Sequence, residues 1–482
     1  MLSSLALVVV IVIDQFRTDE LLRAQGHLNP SGIGLLVDQG VFYDDAHHNQ
    51  FFNMTCPGHT AISTGAMPGL HGIMLNDDWD GKTGKAVYCV SDQEHKWVDT
   101  DLDNKNSNNG TSAKRILVST LGDEMKLEWG NNTKVVSVSI KDRAAIALGG
   151  HHPDSVYWHA PLSRKWTTSD AYLPSKKLPP WVIDFNKSHI LKPPTHEEEY
   201  ETSEQSIKDL TDIALASARA ENLGHHKNPD ILWVSYSTHD FVGHRTGDDS
   251  PELRATIVAE DQNIARLITS LRKSLGGKKF IVALTADHGA GVNTEAAAKY
   301  SIPGGKENLK NVLAKLNECL EPDHVKADSL YSMNVYLALE TKDKESARKK
   351  AKACFNSQSD SVWQAFTRDE ILTNQIPQTP WLKNLASSYN PLRGADVIGV
   401  LDPYWNSEDD RMVNHETPYD YDSWVPLALW WPGIHRHNIH RRVEVTSLAP
   451  TLARILKTRR PSGATSDYLT EVLDQAIDGS RN

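Results

Sequence analysis

The chain has 482 residues, 39% hydrophobic and 23% charged, a balance that fits a large folded protein and excludes a disordered one. Its formal net charge of −11, from 51 basic and 62 acidic side chains, argues against a nucleic-acid backbone as the main partner, though a small phosphorylated ligand at a metal site remains compatible with it. Four cysteines (Cys56, Cys89, Cys319, Cys354) contain no C-x-x-C pair, which disfavours a zinc ribbon and leaves one or two disulfides open.

The first predicted element is the β-branched run Leu7–Ile13, a buried parallel strand with Asp14 directly behind it. It is far shorter than the roughly 20 apolar residues of a spanning helix, and it lacks the basic leader and cleavage site of a signal peptide. Thr55, in Asn53-Met54-Thr55-Cys56-Pro57-Gly58-His59, stands at a helix start before Ala61-Ile62-Ser63-Thr64. A second strand, Lys134–Ile140, runs into Lys141 and Arg143, which in extended chain would point the same way. A third, Ile231–Tyr236, precedes Asp240 and His244, four positions apart and so on one face of a helical turn. Apolar spacing through Leu253, Ile257, Ile264, Leu267 and Leu271 predicts one long helix over Pro251–Leu275. The strand Phe280–Ala286 then delivers Asp287 and His288, with Gly289 easing the turn. His415 lies on the turn-rich loop Asn414–Tyr419, ahead of a strand at Trp424–Trp431 and a late helix at Ser447–Leu456.

Strands alternating with helices predict one α/β domain over 1–482, mostly parallel in its central sheet. The stretches at about 77–111, 151–200 and 289–413, rich in Asn, Asp, Gly, Pro and Trp, read as cap insertions on it. Ligands of open parallel sheets bind at the carboxyl ends of strands, and here three strand ends offer carboxylates, two with imidazole as well. Any one alone is a helix cap or a solvated histidine. Together Asp14, Asp240, His244, Asp287 and His288, with His415 to complete one group, point to a metal site suited to Zn²⁺.

In their order along the chain these motifs, together with Ser447-Leu448-Ala449-Pro450-Thr451-Leu452, resemble the alkaline phosphatase superfamily. The branch is that of threonine-nucleophile bacterial alkaline phosphatases related to nucleotide pyrophosphatase/phosphodiesterases. The resemblance covers Leu7 to about Leu473. It implies two zinc ions per chain, one held by Asp240, His244 and His415. The other would be held by Asp14, Asp287, His288 and the oxygen of Thr55. Thr55 would then be the nucleophile, passing through a phosphothreonine intermediate. Coordination would lower the pKa of its hydroxyl, a poor nucleophile when free. Asn76 matches the family's amide donor to a phosphoryl oxygen. Lys141 and Arg143 match the cation pair of the monoesterase branch, suited to the extra charge of a monoester dianion.

A sulfatase is disfavoured, because Thr55 cannot be oxidised to an aldehyde and His59 stands where that motif has arginine. The diesterase of the nucleotide pyrophosphatase type is the alternative, opposed mainly by Lys141 and Arg143. A catalytically silent binding protein on the same fold is unsupported, since every expected ligand is present. The expected partners are small phosphate monoesters, with a monomer favoured, and a periplasmic or secreted location follows from the resemblance alone.

Overall fold

The computed structural model describes residues 5–100, 110–189, 197–358, 361–407 and 411–478. Its ten-stranded sheet contains β1 (Leu5–Ile13), β2 (Val41–His47), β3 (Val135–Ser139), β4 (Ser155–Ala160), β5 (Lys165–Thr167), β6 (Asp230–Tyr236), β7 (Lys279–Thr285), β8 (Trp424–Trp430), β9 (His437–Ile439) and β10 (Val443–Glu444). In space they run β9-β2-β8-β7-β1-β6-β3-β4-β5, with β10 beside β2.

The sequence of β1 explains its central place. From Leu7 to Ile13 every side chain is apolar and fully buried, which suits a strand covered on both faces. It pairs in parallel with β6 and β7, with Ile13 opposite Tyr236 and Val12 opposite Thr285. The carboxyl ends of all three strands therefore lie at one level, and the polar residues that follow them emerge at one edge. The sheet is mixed but mostly parallel: β8 runs antiparallel to β2 and β7, and β5 antiparallel to β4.

Helices flank the sheet. Those that matter for the site are α1 (Thr55–Thr64), α2 (Asp142–Gly149), α3 (Thr238–Thr246) and α4 (Pro251–Leu275). The last has the bounds its apolar spacing predicts. Ser250 caps its start by accepting a hydrogen bond from Leu253 N, and Gly276 ends it with a φ of 57°.

The stretches read as insertions behave differently from one another. Residues 151–200 are not wholly peripheral: β4 and β5 extend the main sheet, and β4 is buried along its length beside β3. Asp77–Asp80 and Lys85–Tyr88 form a separate hairpin. Within 289–413 lies a four-stranded antiparallel sheet of Ala327–Tyr331, Asn334–Leu337, Val362–Thr367 and Val397–Leu401. Helices Leu309–Leu320 and Lys344–Gln358 pack on it around a core of its own, and a Cys319–Cys354 disulfide joins them. A seam of Phe51, Phe52, Met54, Met74 and Leu75 against Phe366, Ile371 and Leu385 ties this unit to the main domain.

Candidate active site

Asp14 sits on the first peptide beyond β1, fully buried, its N–H donating to Tyr236 O at 2.8 Å. Asp287 and His288 follow β7, equally buried. Asp240 and His244 share one face of α3, with Asp240 Oδ1 3.2 Å from His244 Nε2. His415 comes from the distant loop, its Nε2 3.7 Å from Asp240 Oδ1. The ligating atoms of Asp14, Asp287 and His288 lie within 4.8 Å of one another, as do those of Asp240, His244 and His415. The two groups adjoin, since the His288 and His415 rings stack with centroids 3.8 Å apart.

The imidazoles are held in one tautomer. Nδ1 of His244, His288 and His415 each points at a backbone carbonyl, of Val413 (2.8 Å), Gly289 (2.8 Å) and Asn53 (2.7 Å). A carbonyl only accepts, so Nδ1 carries a proton, and in the neutral ring that a metal would take up Nε2 turns its lone pair inward. His288 Nε2 thus faces Asp14 Oδ1 at 3.4 Å and Asp287 Oδ2 at 3.3 Å. Both His288 Nε2 and Asp14 Oδ1 are buried without a hydrogen-bond partner among the described residues. Converging lone pairs of carboxylate and imidazole, shut away from water, are a donor set that a divalent cation fits. A third group, His189, Asp209 and Asp212, is different, because Lys208 and Arg266 already pair with Asp212.

The charges respond to this crowding. Burial, reinforced by Asp240 and Asp287, pushes the Asp14 carboxyl up to about 6. Burial also pushes at Asp240, but Lys141 and His244 outweigh it and hold that carboxyl well below the usual range. His288 and His59 do the same for Asp287. Burial, then His288 and His244, keep His415 neutral.

Thr55 is the first residue of α1, 1% exposed, at the wall of a cavity of about 740 Å³. None of the described residues hydrogen-bonds its hydroxyl. The motif around it has a packing reason. Gly58 lets α1 press onto the backbone of Asp287, where a Cβ would meet Asp287 O at 2.2 Å. His59 then sits with Nδ1 2.8 Å from Thr55 O and 3.0 Å from Asp287 Oδ2. Asn76 accepts from Cys56 N through Oδ1 at 2.8 Å, which leaves its NH₂ as the donor available to the cavity. Cys56 is disulfide-bonded to Cys89 and so offers no thiol.

Lys141 and Arg143 are not side by side on extended chain. Lys141 ends the extended segment and caps α2, while Arg143 lies in the first turn of that helix. Lys141 Nζ stands between Asp14 Oδ2 (2.6 Å) and Asp240 Oδ2 (2.5 Å), one carboxylate from each group. Arg143 lines the cavity with Thr55, Asn76, Asp240, His244 and His415.

One residue at the centre carries no sequence signal. Gln15 has a φ of 68°, its N–H donates to Asp287 Oδ1 at 3.1 Å, and its side-chain amide donates to Asp240 Oδ1 at 2.9 Å. It therefore links both groups from a left-handed backbone that a residue other than glycine seldom adopts. Gly243 leaves room for that amide, since a Cβ there would meet Gln15 Oε1 at 2.2 Å and displace it.

A family model described as type I phosphodiesterase / nucleotide pyrophosphatase matches residues 8–420. The chain is 29% identical to alkaline phosphatase PafA of Elizabethkingia meningoseptica, over 97% of this chain and 94% of that protein. It is also 29% identical to alkaline phosphatase PhoV of Synechococcus elongatus, over 97% and 92%. The crystal structure of wild-type PafA superposes with a TM-score of 0.88 at 26% identity, covering 96% of this chain and 98% of that one.

Proposed function

This chain belongs to the type I phosphodiesterase / nucleotide pyrophosphatase family, and from that premise we propose that it is a two-zinc phosphate monoesterase whose nucleophile is Thr55. The observation that carries the reading is one of placement. An unengaged threonine hydroxyl at a helix N-terminus shares a cavity with Arg143, the amide of Asn76 and the Asp240, His244 and His415 group, which the buried Asp14, Asp287 and His288 group adjoins.

In this reading Asp240, His244 and His415 would hold one Zn²⁺, and Asp14, Asp287, His288 and Thr55 would hold the other. Bound zinc supplies positive charge that acidifies a hydroxyl and offsets the charge of the phosphoryl group. The Thr55 oxygen forms a bond to phosphorus as the bond to the leaving oxygen breaks, giving a phosphothreonine that water then hydrolyses. Through its free NH₂, Asn76 donates to a phosphoryl oxygen, and Arg143 grips the same group from α2. The two disulfides suit an oxidising compartment, which supports a periplasmic or secreted location. No helix among the described residues is long and apolar enough to cross a membrane.

One observation favours the diesterase alternative. The Lys141 ammonium is engaged by Asp14 and Asp240, so its reading as a phosphoryl contact requires zinc to take over those carboxylates. The test is a parallel rate comparison on an aryl phosphate monoester and the matching diester. The wild-type enzyme is expected to prefer the monoester. Replacing Lys141 and Arg143 together by alanine should slow the monoester by roughly two to four orders of magnitude, two charge-assisted contacts at about 1.5–3 kcal/mol each. The diester should lose far less. Asn76→Ala, whose donor serves both substrates, should change the ratio least. A wild-type preference for the diester would move the protein to the alternative class, and equal losses in the double variant would make the cation pair structural.

A further inference from the structure

Arg143 forms no ion pair among the described residues, and its Nε is buried without a hydrogen-bond partner. Asp14 and Asp142 act on its charge, but neither forms an ion pair with it that would fix the direction of the fork. What it does have is Tyr88, whose phenol oxygen it faces and which lines the same cavity. The Tyr88 hydroxyl donates to Asp142 Oδ1 at 2.6 Å. With its proton committed there, the phenol oxygen presents only lone pairs to Arg143.

Tyr88 is itself tied to the segment that carries Thr55. It ends the hairpin strand Lys85–Tyr88, opposite Asp77, and the next residue is Cys89. Cys89 is bonded to Cys56, the neighbour of Thr55, and its N–H donates to Asn76 O at 2.9 Å. Asn76 in turn accepts from Cys56 N. One disulfide and two hydrogen bonds thus join the segments carrying Thr55, Asn76 and Tyr88. The far end of the hairpin, Gly81 to Gly84, is exposed, so its fixed end is the one at the site.

We propose that Tyr88 is a positioning residue that aims Arg143 at the phosphoryl group, and that the Cys56–Cys89 disulfide fixes Tyr88 relative to Thr55. The proposal rests on the reading of Arg143 as a phosphoryl contact. It places a monoester-specific device in the hairpin, outside the residues that touch substrate.

The experiment is a double-mutant cycle on the zinc-loaded enzyme, with Tyr88→Phe, Arg143→Ala and both together, each assayed on the monoester and the matching diester. Tyr88→Phe keeps the ring and removes only the hydroxyl. It should lower kcat/KM for the monoester by about tenfold, the worth of one charge-assisted hydrogen bond, and the diester much less. In the Arg143→Ala background it should add almost nothing, because Tyr88 acts through that arginine. The inhibition constant of inorganic phosphate should rise in step with the monoester loss. Cys56→Ser with Cys89→Ser should shift the monoester-to-diester ratio in the same direction while a phosphorylated Thr55 still forms. Full loss from Tyr88→Phe in the Arg143→Ala background, or equal loss on both substrates, overturns the proposal. A wild-type monoester rate in Arg143→Ala instead overturns the reading beneath it. Tyr88→Phe decides the matter even where the cysteine variant does not fold.

Discussion

Chelation is expected to abolish monoester hydrolysis, to less than about a thousandth of the starting rate, and added Zn²⁺ to restore it. Asp14, Asp240 and Asp287 are buried carboxylates with one ammonium, Lys141, between two of them. Such a cluster is costly away from water unless cations offset it. Removing metal should therefore also lower the thermal midpoint by several degrees, since a cation at a thousand times its Kd contributes about 4 kcal/mol. Both readouts should recover with Zn²⁺. Full activity in protein shown by elemental analysis to be metal-free would sink the two-zinc reading, whatever the melting curve does.

The second large effect is at Thr55. Thr55→Ala should cut turnover by at least roughly three orders of magnitude and leave no phosphate on the acid-quenched protein. Folding should be nearly untouched. The helix is capped by the backbone at Met54 without a side-chain cap, alanine favours helix, and no described residue hydrogen-bonds the lost hydroxyl. A melting curve close to wild type would thus assign the lost rate to chemistry. Thr55→Ser keeps the hydroxyl and should retain measurable turnover with a phosphorylated serine. Near wild-type rates in Thr55→Ala, or phosphate trapped elsewhere, would refute the assignment.

The parts of this site that could be read in advance share a cause. Asp14, Asp240, Asp287 and His288 lie just past strands whose apolar runs are unmistakable, so locating the strand end locates the residue. The long helix was legible because its buried stripe repeats over 25 residues between a serine cap and a glycine stop. Where contacts depend on the fold, local pattern fell short. Gln15 bridges two groups through partners 225 and 272 positions away, and nothing in its neighbourhood in sequence marks it. The i, i+2 spacing of Lys141 and Arg143 suits extended chain, whereas Asp142 already begins a helix, so the two cations leave the backbone differently. The β4 strand, Ser-Val-Tyr-Trp-His-Ala, mixes polar and aromatic residues and is buried only because neighbours close over it. The strand β2 contains Asp44 and Asp45, both partly exposed, which breaks the apolar run expected of an interior strand.

The position of β1 also bears on how the protein is made. Both its neighbours, β6 and β7, are encoded far downstream, at residues 230–236 and 279–285. At a synthesis rate of about 5–20 residues per second, the run Val-Val-Val-Ile-Val-Ile waits roughly 15–55 s before its second partner exists. During that interval it is an unpaired, uncharged β-segment of the kind that seeds aggregation. The edge of the sheet that carries Asp14, Asp240 and Asp287 is therefore assembled late, and nascent chains ending before residue 279 should be the ones that most need a chaperone.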